Sequence, residues 1–215
     1  CYQISDGLFD ITSGVLRRIW QFDGGNHVPR PEQVETVRQA IGWHKVRWQR
    51  PDISLPVGME IDLGGIGKEY AVDRTARLLE QLTDASVLIN YGGDLYVNKP
   101  RHNGGGWIIG VERPDQQTDQ TDINLSSAAV ENFELQHGGV ATSGDARRFL
   151  LRDGIRYSHI LNPLTGWPVK DAPHSITVLA GTCTEAGILA TLAMLQGPEA
   201  EAFLGAQRVK YWAIR

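Results

Sequence analysis

The stretch Asp62-Leu-Gly-Gly-Ile-Gly-Lys-Glu-Tyr-Ala-Val-Asp-Arg74 constrains this chain more than any other. An apolar run over 59–63 reads as a strand and ends in three glycines within four residues. Lys68 follows at once, and then a helical pattern. Glycines at a strand-to-helix turn let backbone N–H groups come close to a ligand. A new helix start adds unpaired N–H groups and a positive dipole end. The stretch therefore reads either as a phosphate cradle with Lys68 as a point charge beside it, or as a tight structural turn. Its spacing is neither the P-loop pattern nor G-x-G-x-x-G.

The other segments set the fold class. Asp10 or Thr12 is placed to cap a helix carrying Val15, Leu16, Ile19 and Trp20. A second helix is expected over 32–41, with Pro31 in its first turn and Gly42 after its end. A short strand over 46–49 leads into a loop over 51–58. The helix over 69–82 has Tyr70, Val72, Ala76, Leu79 and Leu82 on its apolar face, with Arg74, Arg77 and Glu80 solvated. Strands are expected over 85–90, resuming over 95–98, and over 107–112, with Pro114 closing the last. A polar loop covers 116–124, and two strand-rich blocks cover 128–143 and 147–161. A strand over 175–180, helices over 185–195 and 199–206, and a strand over 210–214 complete the chain. Strands and helices do not alternate regularly, which predicts an α+β fold with mixed or antiparallel sheets and packed helices.

Of the 215 residues, 41% are hydrophobic and 21% charged, enough to bury a core. No linker marks a boundary, so residues 1–215 are read as one domain. The net charge of -4 argues against nucleic acid as a partner. Cys1 and Cys183 lie far apart and form neither a metal-ligand spacing nor a disulfide framework. No run of about 18 apolar residues is present, so no helix here spans a membrane. No segment reads as a signal peptide, and residues upstream of Cys1 are expected.

Four places carry candidate chemistry. The first is the glycine turn with Asp62 and Lys68. The second is Tyr91-Gly-Gly-Asp94, a double glycine read as a bulge or a close approach inside a strand. The third joins Thr142-Ser-Gly-Asp145 to His159-Ile-Leu-Asn-Pro-Leu-Thr-Gly166, where His159 is either structural or a general base. The fourth is a helix face formed by Thr184, Gly187 and Thr191, which a small-residue packing role also explains.

Together with Leu8-Phe-Asp-Ile-Thr12, these motifs resemble in sequence and in order the ApbE family, the FAD:protein FMN transferases. The resemblance implies an ApbE-like flavin transferase fold lacking an N-terminal portion of several tens of residues. It implies Mg²⁺-dependent transfer of FMN from FAD to a Ser or Thr hydroxyl of an acceptor flavoprotein, with release of AMP. By resemblance, Leu8, Phe9, Asp10, Asp62, Lys68, His159 and Ile160 contact FAD, and His159 is also the base or positioner for the incoming hydroxyl. Gly65, through its carbonyl, and Thr191, through its hydroxyl, are the implied metal ligands. A periplasmic or cell-envelope location is implied as well, with a membrane engaged only through an anchor upstream. Cys1 runs directly into the Phe-Asp-Ile-Thr region and is not that anchor.

One departure stands out. The family's late helix usually carries an Asp as the anionic metal ligand, and Gly187 occupies that place. Glu185 falls on roughly the opposite face, and Thr184 faces the right way without a charge. The Gly-Lys-Glu-Tyr form of the central motif suggests a subgroup with its own usage. Two alternatives to the transferase therefore arise: a flavin carrier or assembly protein that binds FAD without catalysis, and an FAD hydrolase giving FMN and AMP.

Overall fold

The computed structural model describes residues 1–23, 25–112, 129–144 and 149–215. Asp145 and the expected loop over 116–124 lie outside them. The helices are α1 (Pro31–Arg38), α2 (Gly67–Leu82), α3 (Cys183–Leu195) and α4 (Ala200–Gln207). The strands are β1 (Arg47–Gln49), β2 (Asp52–Ser54), β3 (Leu88–Tyr91), β4 (Asp94–Val97), β5 (Trp107–Glu112), β6 (Ala129–Leu135) and β7 (Gly138–Gly144). Then follow β8 (Phe149–Arg152), β9 (Ile155–Ser158), β10 (Leu161–Asn162), β11 (Trp167–Pro168), β12 (Ser175–Ala180) and β13 (Lys210–Ile214).

A five-stranded antiparallel sheet in the order β13-β12-β7-β4-β3 is the frame. Alternation along its strands buries both faces. On β7, Ala141 joins Val72, Ala76, Ile176, Val178, Ala186, Ala190 and Met194 beneath the helices. Its neighbour Val140 joins Leu95, Val97, Ile109, Val111, Phe133 and Leu135 beneath the antiparallel β5–β6 pair. The sheet thus sits between a helical layer and a two-stranded layer, and the α+β expectation holds. α3 is apolar all round because it is buried between the sheet, α2 and α4.

Several local expectations fail for identifiable reasons. Residues 59–63 form no strand; one bridge joins Glu60 to Ser13, and the Asp62 N–H donates to the Ile11 carbonyl at 2.7 Å. The expected loop over 51–58 contains β2, paired with β1. The helix around Val15 is only a 3₁₀ segment, Gly14–Arg18, with Ser13 at its cap. Asp10 and Thr12 do not cap it. The Asp10 carboxylate accepts from Thr12 N, Thr12 Oγ1 and Trp43 N at 2.8, 2.7 and 2.9 Å, tying this turn to the segment after α1. The double glycine is no bulge. Gly92 (φ +64°) and Gly93 (φ +100°) form the two-residue turn of the β3–β4 hairpin, in which Tyr91 pairs with Asp94. Positive φ at both central residues is what such a turn requires.

α2 shows the most informative difference. Its solvated residues Arg74, Arg77 and Glu80 are exposed as expected. Tyr70 and Leu82, however, are 58% and 79% exposed, while Glu69 and Asp73 are buried. Those two acids are one turn apart, so they share the face turned toward α3. Asp73 accepts from the N–H groups of Cys183 and Thr184 at 2.9 and 2.8 Å, and from Thr184 Oγ1 at 2.5 Å. It caps a neighbouring helix with a carboxylate at its positive end. Replacing Asp73 with Ala leaves two buried N–H groups without a partner. Urea denaturation of Asp73→Ala should show a loss of about 2–4 kcal/mol, against almost none for Arg74→Ala on the opposite face.

Candidate functional site

A cavity of about 600 Å³ opens where the glycine turn, the start of α2, the β3–β4 hairpin, β7 and the middle of α3 meet. Its volume lies within the range of small-molecule sites. Leu8, Phe9, Asp10, Asp62, Gly65, Lys68, His159, Ile160 and Thr191 all line it. Residues from four separated segments therefore converge on one space. Asp10 borders it, but its carboxylate is engaged by Thr12 and by the Trp43 N–H.

The glycine turn does not behave as an open phosphate cradle. The Gly64 N–H donates to Asp62 Oδ1 at 2.8 Å, and the Ile66 and Gly67 N–H groups donate to the Leu63 carbonyl at 3.2 and 2.8 Å. Those three donors are spent within the turn. Its glycine content answers a different need: Gly65 has φ +83°, and a Cβ there would lie 2.7 Å from Thr191 Oγ1. Only glycine lets this backbone pass against α3. Lys68 is also committed, with its Nζ 2.7 Å from Asp94 Oδ2. The lysine side chain is half-exposed, so its stem reaches the cavity while its charge sits on a buried acid.

Asp94 and Glu69 form the electrostatic centre. Asp94 is 1% exposed, and its Oδ1 accepts from Thr142 N at 3.1 Å. Its Oδ2 has the Lys68 ammonium beside it but no aligned hydrogen bond. Glu69 is 6% exposed, and its Oε2 is buried with no hydrogen-bond partner. Burial pushes the Glu69 carboxyl up to about 7, its own backbone N–H pulls it down, and the adjacent Asp94 adds to the rise. Cys183 is buried beside the same acids, and burial raises its thiol.

Aromatic side chains also line the cavity. Trp20 and Phe22 stack at 5.9 Å, and Trp20 Nε1 donates to the Gly166 carbonyl at 2.9 Å. Phe22 meets the His159 ring edge-on at 6.2 Å. A cavity lined by aromatic rings and by buried acids with a lysine suits a ligand with an aromatic end and a polar, charged end.

The sequence profile of the ApbE family matches residues 1–213. The chain belongs to the ApbE family. Among its relatives, the FAD:protein FMN transferase of Escherichia coli K12 is 33% identical over 206 residues, covering 91% of this chain and 56% of that protein. The FAD:protein FMN transferase of Vibrio cholerae serotype O1 is 30% identical over 200 residues, covering 91% of this chain and 58% of that protein. The ApbE protein of Thermotoga maritima superposes with a TM-score of 0.83 at 29% identity, over 99% of this chain and 68% of that one. The apo flavinyl transferase ApbE of Pseudomonas stutzeri gives 0.82 at 30% identity, over 100% and 66%. This ApbE-family chain spans a little over half the length of these two transferases.

Two features of the site were missed in the sequence. Asp94 stands in the Tyr91-Gly-Gly-Asp94 motif with no role of its own legible there, and Glu69 marks only the Gly-Lys-Glu-Tyr form of the central motif. A carboxylate directly after the lysine, in the first turn of a helix, was the available signal.

The raised Glu69 carboxyl fixes a sign. A carboxyl that holds its proton more tightly when folded contributes stability that is fully present below its unfolded value and lost as pH rises through the folded one. In EDTA, unfolding free energy should therefore fall between about pH 4.5 and pH 7, by on the order of 1–3 kcal/mol. Glu69→Gln should flatten that slope. Chemical denaturation across this range checks it, and an unchanged slope in the variant would assign the effect elsewhere.

Proposed function

We propose that this chain transfers the FMN half of FAD to a Ser or Thr hydroxyl on an acceptor flavoprotein, with Mg²⁺, and releases AMP. The convergence of nine residues from four motifs on one cavity, in a member of the ApbE family, carries this reading. In the reaction, the acceptor oxygen forms a bond to the FMN phosphorus as the bond from that phosphorus to the AMP oxygen breaks. The hydroxyl proton passes to a base, and AMP leaves as an anion. Such chemistry rests on positioning and charge stabilisation.

Each group has a task in this reading. The aromatic wall of Trp20 and Phe22 takes the flavin end of FAD. Lys68 stabilises negative charge near the phosphates, and Asp94 fixes where that charge stands. His159, held edge-on against Phe22, accepts the hydroxyl proton. The residues also fit a hard divalent cation. Glu69 Oε2 is buried without a hydrogen-bond partner, Asp94 Oδ2 has only the Lys68 ammonium beside it, and the Gly65 backbone passes directly against the Thr191 hydroxyl. Among the described residues no three of His, Cys, Asp and Glu are grouped to hold a metal. One or two carboxylates with neutral oxygens suit Mg²⁺ better than zinc. Gly65 and Thr191 would contribute to holding it, and when bound it supplies neutralisation of phosphate charge.

The test is incubation with FAD, Mg²⁺ and an acceptor flavoprotein domain, followed by denaturing electrophoresis under ultraviolet light and assay of AMP. A fluorescent acceptor band with equimolar AMP is the expected result. His159→Ala should lower the labelling rate about 10²–10³-fold with FAD affinity little changed. AMP without a labelled band would make the protein a hydrolase, and FAD binding with neither product would make it a carrier.

A further inference from the structure

Position 187 has no room for a side chain while Glu69 occupies its present place. A Cβ there would lie 2.5 Å from Cγ, 3.1 Å from Cδ and 3.3 Å from Cβ of Glu69. The space is filled from the neighbouring helix, and what fills it is a carboxylate. The carboxyl carbon of an aspartate at 187 would be bonded to that Cβ. The carboxyl carbon of Glu69 lies 3.1 Å from the same point. Thr191 is one helical turn beyond Gly187 on the same face of α3, and Gly65 lies against it.

We infer that Glu69 is the anionic ligand of a divalent cation at the α2–α3 joint, delivered from α2 in place of a side chain at 187. The inference rests on the transferase reading only for the identity of the cation as Mg²⁺. Its own basis is geometric. Glu69 is 6% exposed, and its Oε2 has no hydrogen-bond donor, which is costly for a buried acid. It faces the cavity shared with Asp94, Lys68, Thr191 and Gly65. A packing role alone would be met by Gln or Met and leaves that oxygen unexplained. Lys68 is the one cation contributed to this group among the described residues, and it is paired with Asp94.

Gly187 and Glu69 are thus two halves of one exchange. Either position can hold the carboxylate, and steric exclusion forbids both at once. The test is Mn²⁺ binding to the full chain, read from the loss of the free-ion electron paramagnetic resonance signal, with and without FAD. Thermal unfolding monitors the fold. The wild type should bind Mn²⁺. Glu69→Gln and Glu69→Gly should each weaken binding at least tenfold, and Glu69→Gly/Gly187→Asp should return it to within about threefold of the wild type. Gly187→Asp alone should be markedly less stable than the wild type. Wild-type affinity in Glu69→Gln, no restoration by the double variant, or no Mn²⁺ binding by the wild type under either condition would overturn the inference. Acceptor labelling measured in parallel separates the two readings. Labelling with Mn²⁺ binding indifferent to Glu69 sinks only the ligand assignment. Glu69-dependent Mn²⁺ binding without labelled acceptor or AMP sinks only the transferase.

Discussion

The contact between α2 and α3 is the constraint on which the rest of the site depends. Glu69 and Asp73 sit one turn apart on α2 and meet α3 at two levels. Asp73 caps the N-terminus of α3 through Cys183 and Thr184. Glu69 enters the space that Gly187 leaves open. Two buried acids on one helix face would oppose folding if left alone. Asp73 is satisfied by the unpaired donors of a helix start. Glu69 is left short of a donor, and that shortfall lies at the cavity wall.

From this joint the remaining positions follow. Fixing α3 against α2 places Thr191 beside the glycine turn, and only a backbone without Cβ at residue 65 can pass there. The turn hands the chain into α2, so Lys68 and Glu69 emerge on the cavity side. The sheet supplies the other half. The tight β3–β4 turn brings Asp94 to the start of β4, where Thr142 on β7 and Lys68 on α2 hold it. His159 arrives from beyond β9 against Phe22. Acid and base thus stand on different elements of a rigid frame, which suits a reaction that relies on placement.

Much of this was legible in the sequence. The strands over 107–112, 175–180 and 210–214 coincide with β5, β12 and β13, because alternating or continuous apolar runs bounded by turn residues leave little choice. The motif residues of the candidate site were also identified, and they do line one cavity. Failures fell where a tertiary partner overrode the local pattern. Tyr70 and Leu82 matched a helical apolar stripe, yet α2 turns Glu69 and Asp73 inward because α3 offers donors to one and space to the other. Periodicity treats such acids as solvated. The turn around Gly65 read as an anion cradle because its internal hydrogen bonds are invisible in a string of letters. The glycine at 187 looked like a deletion of function, since nothing in one segment reveals what fills the gap from another.

We infer that the carboxylate serving this site stands on α2 and not on α3. A crystal structure of the protein grown with Mn²⁺, with anomalous differences measured at the manganese edge, tests it most directly. An anomalous peak bonded to a Glu69 carboxylate oxygen is expected, with the Thr191 hydroxyl and the Gly65 carbonyl in the same coordination shell. A peak in the cavity that Glu69 does not touch, or no peak at a manganese concentration that saturates the protein in solution, would contradict it.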